Sequence, residues 1–139
     1  MSSPAPLLEH RDGTDLPRTS SPRPYLHPVR TLGGTLVSDA APSDHPHHHG
    51  VSVAVADLSG TSHWGGRTYV RGRGPVASDD HGRQLLLDSR EVLQENACGV
   101  DQQIAWYDSQ DRRQGVEDRR VRVAVRDDGW VLSWRTVLV

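Results

Sequence analysis

The chain contains no lysine, no phenylalanine and only one cysteine, Cys98. Each absence removes chemistry. Without lysine there is no Schiff-base amine and no P-loop lysine to grip a phosphate, and all sixteen basic residues are arginine. A single cysteine excludes a disulfide within the chain and a cysteine-rich zinc site. Eighteen acidic residues against sixteen basic ones leave a formal charge of −2, which gives no electrostatic footprint for nucleic acid. No run approaches the ~18 apolar residues of a membrane helix. The opening residues, Met-Ser-Ser-Pro-Ala-Pro-Leu-Leu-Glu-His-Arg, lack the basic and apolar regions of a secretory signal. The expected compartment is therefore the cytoplasm, with no membrane partner. Neither a Gly-x-Ser-x-Gly elbow nor a dinucleotide-binding Gly-x-Gly-x-x-Gly context occurs.

Helical periodicity is also nearly absent, and short alternating runs take its place. At 139 residues the chain is one domain by length, with four Trp and three Tyr supplying the large apolar surfaces. Residues 1–22, rich in Ser, Pro and charge, read as a loose arm with room for one early strand. Residues 23–139 read as a β domain. Arg23–Arg30 and Leu32–Val37 are β-like runs around a Gly33-Gly34 turn. Val51–Leu58 is the clearest strand, because Val51, Val53 and Val55 share one face. Residues 63–82 read as a long functional loop, Gln84–Leu87 as a short strand, and Glu91–Cys98 as strand or helix. Gln102–Tyr107, Gly115–Val125 and Trp130–Val139 follow as strands, with turns at Asp108–Asp111 and at Asp127-Asp128-Gly129. Val121, Val123 and Val125 alternate with Arg120, Arg122 and Arg126, a half-buried strand with a wet outer face. Trp106, Trp130 and Trp134 fall at strand positions that suit the core. The class is all-β, an antiparallel β-sandwich or open sheet.

Chemistry concentrates at residues 44–50, Asp-His-Pro-His-His-His-Gly, which hold four of the eight histidines. Imidazole is the commonest transition-metal ligand and titrates near neutrality without help. Pro46 pushes His45 toward an extended backbone, where alternate side chains share a face. His45, His47 and His49 would then point one way, and Asp44 and His48 the other. Two imidazoles two residues apart can chelate one divalent ion, and Asp44 can ligate it, orient an imidazole or cap the turn. His27 would face the same cleft, or it is a satisfied sheet histidine. His63 and Trp64, beside Gly65-Gly66, suit a sugar site where an aromatic face stacks on the ring; Trp64 fits a core equally well. Arg71-Gly72-Arg73-Gly74 is read as loop rather than an RNA-binding segment. Asp79-Asp80-His81 is a candidate cation site or solvated loop.

The order of these segments resembles a known family. Arg-Pro-Tyr-Leu-His-Pro-Val-Arg-Thr at 23–31, Gly34, Ser-Asp-His-Pro-His-His at 43–48, Gly50 and Trp-Gly-Gly at 64–66 together resemble the bacterial family labelled methane oxygenase PmoA-like. The resemblance covers roughly residues 22–139. It implies a β-sandwich of the mutarotase or carbohydrate-binding type and, by analogy, carbohydrate chemistry. It does not imply methane oxidation, since the particulate enzyme's subunits are membrane-embedded. Family members carry Arg or Leu where His49 stands. They are about twice this length, so the chain is expected to be the N-terminal half of the family domain, with an incomplete sandwich.

Three readings follow. In the first, His45, His47, His48 and His27 perform acid–base or metal-assisted chemistry on a sugar or polyol, with Trp64 and Arg30 holding the substrate and His45, His47 and Asp44 available to a divalent ion. In the second, the same cleft is a non-catalytic sugar-binding module. In the third, the chain is a truncated product without function. The last ten residues, Trp-Val-Leu-Ser-Trp-Arg-Thr-Val-Leu-Val, want a neighbour on each edge and burial on a face, so instability or homo-oligomerisation through residues 130–139 is expected.

Overall fold

The last third of the chain folds as the alternation dictates. The computed structural model describes residues 5–139, and its longest strands are β6 (Arg83–Gln94), β7 (Ala97–Tyr107), β8 (Arg113–Arg126) and β9 (Gly129–Leu138). They form one antiparallel meander in the order β6-β7-β8-β9. Two-residue turns at Glu95-Asn96 and Asp127-Asp128 close two of its hairpins. At the third, the Asp108 carboxylate accepts hydrogen bonds from the backbone N–H groups of Gln110 and Arg112, both at 2.9 Å, so the side chain itself shapes the turn. The register sets Val100 beside Val121 and Val121 beside Trp134, one continuous apolar row on the inner face.

A smaller sheet covers that row. Its strands are β1 (Leu8–Arg11), β2 (Tyr25–Val29) and β3 (Val51–Ser52), paired antiparallel with β2 in the middle. Leu26 and Val29 pack on Val121, and Leu8, Val100, Trp130, Leu132 and Trp134 ring them. Burying each such side chain is worth about 1.5–3 kcal/mol, so this row is what joins the two layers. The Trp130 Nε1–H reaches across to the Arg30 carbonyl at 2.8 Å. The chain also forms a two-stranded hairpin, β4 (Thr68–Val70) and β5 (Gly74–Val76), and a single 3-10 turn at Arg18–Ser20. The protein is all-β and antiparallel, with open sheets packed as a sandwich; the described residues contain no α-helix, and no helix long and apolar enough to cross a membrane.

Several expected elements differ. Val51–Leu58 is a strand only at Val51–Ser52. Beyond it the carbonyls go elsewhere: Val53 accepts from Gln84 Nε2 at 2.8 Å and Val55 from the His63 N–H at 2.8 Å. The valine alternation is real, but the ladder partners are absent. Leu32–Val37 likewise makes one bridge, Arg30 with Leu36, after the expected Gly33-Gly34 turn. Residues 63–82, expected as one loop, contain the β4–β5 hairpin, with Arg71-Gly72-Arg73 as its turn. Strand β6 runs well past Leu87, and Glu91–Cys98, open between strand and helix by sequence, is the hairpin that joins it to β7.

Residues 1–4 of the expected loose arm lie outside the described residues. The rest of that arm is built into the fold. Leu8–Arg11 is the early strand, Ser20 and Ser21 are buried, and Arg18 donates to the carbonyls of His81 and Asp108.

The wet face of β8 is as expected for exposed Arg120 and Arg126, while Arg122 is half-buried against Asp101 at 2.6 Å. Its neighbour Arg119 turns inward and is fully buried with Glu117. Arg119 Nε and Nη2 donate to the two Glu117 oxygens at 2.6 and 3.0 Å. Trp106 Nε1 and Thr136 Oγ1 donate to the same carboxylate, each at 2.9 Å, and the Trp134 ring lies 4.7 Å from the guanidinium. Two opposite charges are thus taken out of water together, with nearly every polar atom partnered.

Candidate functional site

The histidine loop is built from turns, not from extended chain. The His45 N–H bonds to the Pro42 carbonyl at 3.0 Å, and the His48 N–H to the His45 carbonyl at 2.9 Å. Pro46 therefore sits at the second position of a four-residue turn, where its fixed φ is favoured. This corrects the expected alternation of faces. Folding back at Pro46 stacks the His45 ring on His48, with centroids 4.9 Å apart and planes at 21°. His47 meets His48 edge-on at 4.5 Å and lies 6.1 Å from His45. His45, His47 and His48 form one cluster, while His49 turns inward against Tyr25 at 5.3 Å and is 3% exposed.

Trp64 completes the cluster. Its indole meets His48 at 5.8 Å and 86°, and it is 44% exposed. The Gly65-Gly66 pair lets the Trp64 segment approach this closely. Gly66 has φ +71°, and a Cβ there would lie 2.7 Å from the His47 ring.

Arg23 holds the two loops together from below. It is 2% exposed. Its Nη2 donates to the His47 carbonyl at 3.1 Å, and its Nη1 to the carbonyls of Trp64, Ser20 and Ser21 at 3.2, 2.9 and 3.1 Å. Nε donates to Ser52 Oγ at 3.0 Å. Burial brings its pKa down to about 10.

Burial also lowers the pKa of His47, helped by the neighbouring His48, His45 and Arg23 charges. His49 is lowered by burial and then by Arg23 and His47, against an opposing pull from Asp15. Both imidazoles are accordingly held neutral at neutral pH, the form that can accept a proton. The Asp44 carboxylate lies 3.1 Å from His45 Nδ1, a hydrogen bond that lowers the Asp44 pKa and orients the ring.

Two clefts meet at Trp64. One, of 320 Å³, is lined by Arg23, His48, His49, Gly50, Ser52, Ala54 and Trp64. The other, of 530 Å³, runs on past Asp57, Thr61, Arg67, Thr68, Tyr69 and Asp80. Tyr69 is widely exposed, and Thr68 donates to Asp80 at 2.7 Å. The exposed aromatic side chains, the carboxylates and the guanidinium of Arg67 make this a largely apolar groove edged by a few polar groups.

Of the expected residues, the fold brings together Asp44, His45, His47, His48 and Trp64. It does not bring His27 or Arg30 to them. His27 Nδ1 pairs with Ser38 Oγ at 2.8 Å, which makes it a satisfied sheet histidine. Arg30 donates to the Gly34 carbonyl at 3.3 Å, at the far end of β2, and lines neither cleft. His63 is fully buried against Trp106 at 4.6 Å and bonds Gln114 at 2.8 Å, so it is core. Among the described residues no group of three or more His, Cys, Asp or Glu side chains is arranged to hold an ion. Asp44 lies against His45, and His47 belongs to the ring cluster. Arg23 and Tyr69 are not among the residues the sequence singles out, and His49, expected on one face with His45 and His47, turns inward instead. Arg23 stands in the motif, but nothing local indicates that residue 23 would lie beneath residue 47.

Comparison with known proteins gives one result. A family model, Family of unknown function (DUF6807), matches residues 2–139. The chain belongs to that family. No curated protein and no solved structure matches it.

Proposed function

We propose that this protein recognises a sugar or polyol across Trp64, and that the His45–His47–His48 cluster supplies acid–base chemistry to it. The observation that carries this reading is the placement of Trp64. The other three tryptophans are buried or packed on the core, while this one stands 44% exposed where two clefts meet. An indole face takes the C–H face of a sugar ring, and the surrounding Asp57, Asp80, Arg67 and Thr68 offer hydroxyl partners. Of the three imidazoles His48 lines the 320 Å³ cleft beside Trp64, and it is the one placed for abstraction of a proton beside a carbonyl, as in an epimerisation. The resemblance to the PmoA-like family supports the same substrate class. A metal-assisted version would require Asp44, His45 and His47 to rearrange around a divalent ion. In this reading the protein works in the cytoplasm, and exposed Val131 and Val137 on the edge strand β9 favour self-association.

The test is a panel of monosaccharides and polyols titrated against tryptophan fluorescence, with Trp64→Ala as control. Bound sugars are then incubated in deuterated water and followed by NMR. Binding that depends on Trp64, with solvent deuterium entering the sugar, supports the enzyme. Binding without exchange makes the protein a carbohydrate-binding module, which the open form of the groove would suit. Absence of binding across the panel overturns the reading.

A further inference from the structure

We propose that the 320 Å³ cleft bounded by Arg23, His49 and Ser52 is a carboxylate-binding subsite, and that the ligand is therefore an acidic sugar, such as a uronate or aldonate, rather than a neutral one. The inference deepens the reading of the Trp64 site and rests on it for the sugar, but not for the carboxylate.

Charge is the first reason. The described residues contain two deeply buried arginines, Arg119 at 1% and Arg23 at 2% exposure. Arg119 lies on Glu117 at 2.6 Å. Arg23 bonds four backbone carbonyls and a hydroxyl but no carboxylate. A buried cation without a counter-ion is costly, and the usual remedy is an anion. Asp15, the carboxylate acting on His49, is exposed and makes no bond to Arg23.

Unspent donors are the second reason. A guanidinium carries five N–H groups. Nε has one acceptor and Nη1 has three for its two hydrogens, but Nη2 has only the His47 carbonyl. One Nη2 hydrogen is left. His49 is 3% exposed, and neither ring nitrogen has a partner. A neutral imidazole has one N–H, and leaving it buried and unbonded is unfavourable. Both residues line one cleft, and Trp64 lines it with them. The His49 nitrogens are closed to solvent as the loop stands, so an anion seated there would shift the ring slightly, take an N–H from each residue and place the rest of its molecule on the indole.

The anion is a monoanion. One permanent cation and two or three neutral donors match a planar carboxylate, whereas a phosphate dianion calls for more positive charge.

The experiment compares glucuronate with glucose, and gluconate with sorbitol, by calorimetry at pH 7.5 in low salt. Each acid should bind at least tenfold tighter than its neutral mate. His49→Phe keeps the ring against Tyr25 but removes both nitrogens, and should lower that ratio several-fold, with the Arg23 charge keeping it above one. Because Arg23 also holds two loops, Arg23→Gln is paired with a thermal melt; if that variant unfolds, His49→Phe alone decides. Equal affinity for acid and neutral sugar overturns the subsite while leaving sugar recognition intact, as does a ratio that His49→Phe leaves unchanged. Glycolate, which has the carboxylate without the ring, should shift the His49 ring resonances. If it does so while no sugar binds, the subsite stands and the sugar reading falls; if neither happens, both fall.

Discussion

Arg23 donates to the backbone carbonyl of His47 at 3.1 Å, across 24 residues of sequence, and through that bond a buried cation fixes a solvent-facing histidine loop. The same guanidinium holds the carbonyl of Trp64. Both walls of the candidate site are thus tied to one side chain. Arg23→Gln removes most of this clamp and leaves several buried carbonyls without a donor. It should lower unfolding free energy by on the order of 2–4 kcal/mol, since bonds to charged groups are worth about 1.5–3 kcal/mol each and are not additive. Urea denaturation measures this. A loss under about 0.5 kcal/mol would mean the loops hold themselves.

The packing of Gly66 on His47 gives a second prediction. With φ +71° and a would-be Cβ 2.7 Å from the His47 ring, Gly66→Ala meets both backbone strain and a clash. It should cost about 1–3 kcal/mol and displace His47 from His48, which NMR of the imidazole resonances would show. Unchanged resonances would mean that the Gly66 backbone yields instead of the ring.

What was legible in the sequence and what was not divides along sequence separation. The meander was legible because its information is local: alternation along β8, and Asp-rich turns at 108–111 and 127–128. Val51–Leu58 has the alternation but fails as a strand, because a strand also needs a partner and the Val53 and Val55 carbonyls find other donors. The site divides the same way. The histidine cluster is visible in seven residues. Pro46 restricts His45, but its role as a turn residue decides the geometry. Arg23 beneath His47, His49 turned inward and Glu117 against Arg119 are tertiary facts. For the last, alternation implies that one β8 face is buried, but not that a charge pair occupies it.

The lowered histidines set a pH dependence. His47, His49, His10 and His63 are each lowered below 6.5, burial being the largest cause in every case. Below that value the unfolded chain takes up protons before the folded one does. Stability is therefore complete above about pH 6.5 and falls as pH drops through the folded values, a tenfold difference in proton affinity being worth about 1.4 kcal/mol. Asp44, Asp101, Asp108 and Asp111, all lowered, act in the same direction but only in the carboxylate range. Thermal melts between pH 8 and 5 should be flat at first and then decline below pH 6.5. A midpoint that rises on acidification in that window would contradict the neutral assignment.

The buried pair of Glu117 and Arg119 gives the next test. Glu117→Gln leaves Arg119 buried without a counter-charge and should cost about 3–5 kcal/mol. Replacing both together, as Glu117→Met with Arg119→Leu, should recover most of that loss, because the desolvation of two charges disappears with their attraction. A double variant no better than the single one would show that the bonds from Trp106 and Thr136 to Glu117, not the charge pair, hold this part of the core.

The last prediction concerns β9. Among the described residues it pairs with β8 on one edge and with no strand on the other. Val131 and Val137, at 38% and 39% exposure, lie an even number of residues apart and so on the same face of that strand. An unpaired edge with apolar side chains invites a second strand, and a single lysine on such an edge is an effective block. The protein should therefore self-associate in a concentration-dependent way, and Val131→Lys and Val137→Lys should each shift the sedimenting species toward monomer with little change in the melt. The meander's other edge, β6, supplies the control. Leu93, 83% exposed there, is the place where a lysine should leave association as it is if β9 is the contact. If Leu93→Lys disperses the assembly and the two β9 variants do not, the contact lies at β6; a wild-type chain that stays monomeric at every concentration would mean that the bare edge of β9 is tolerated in water.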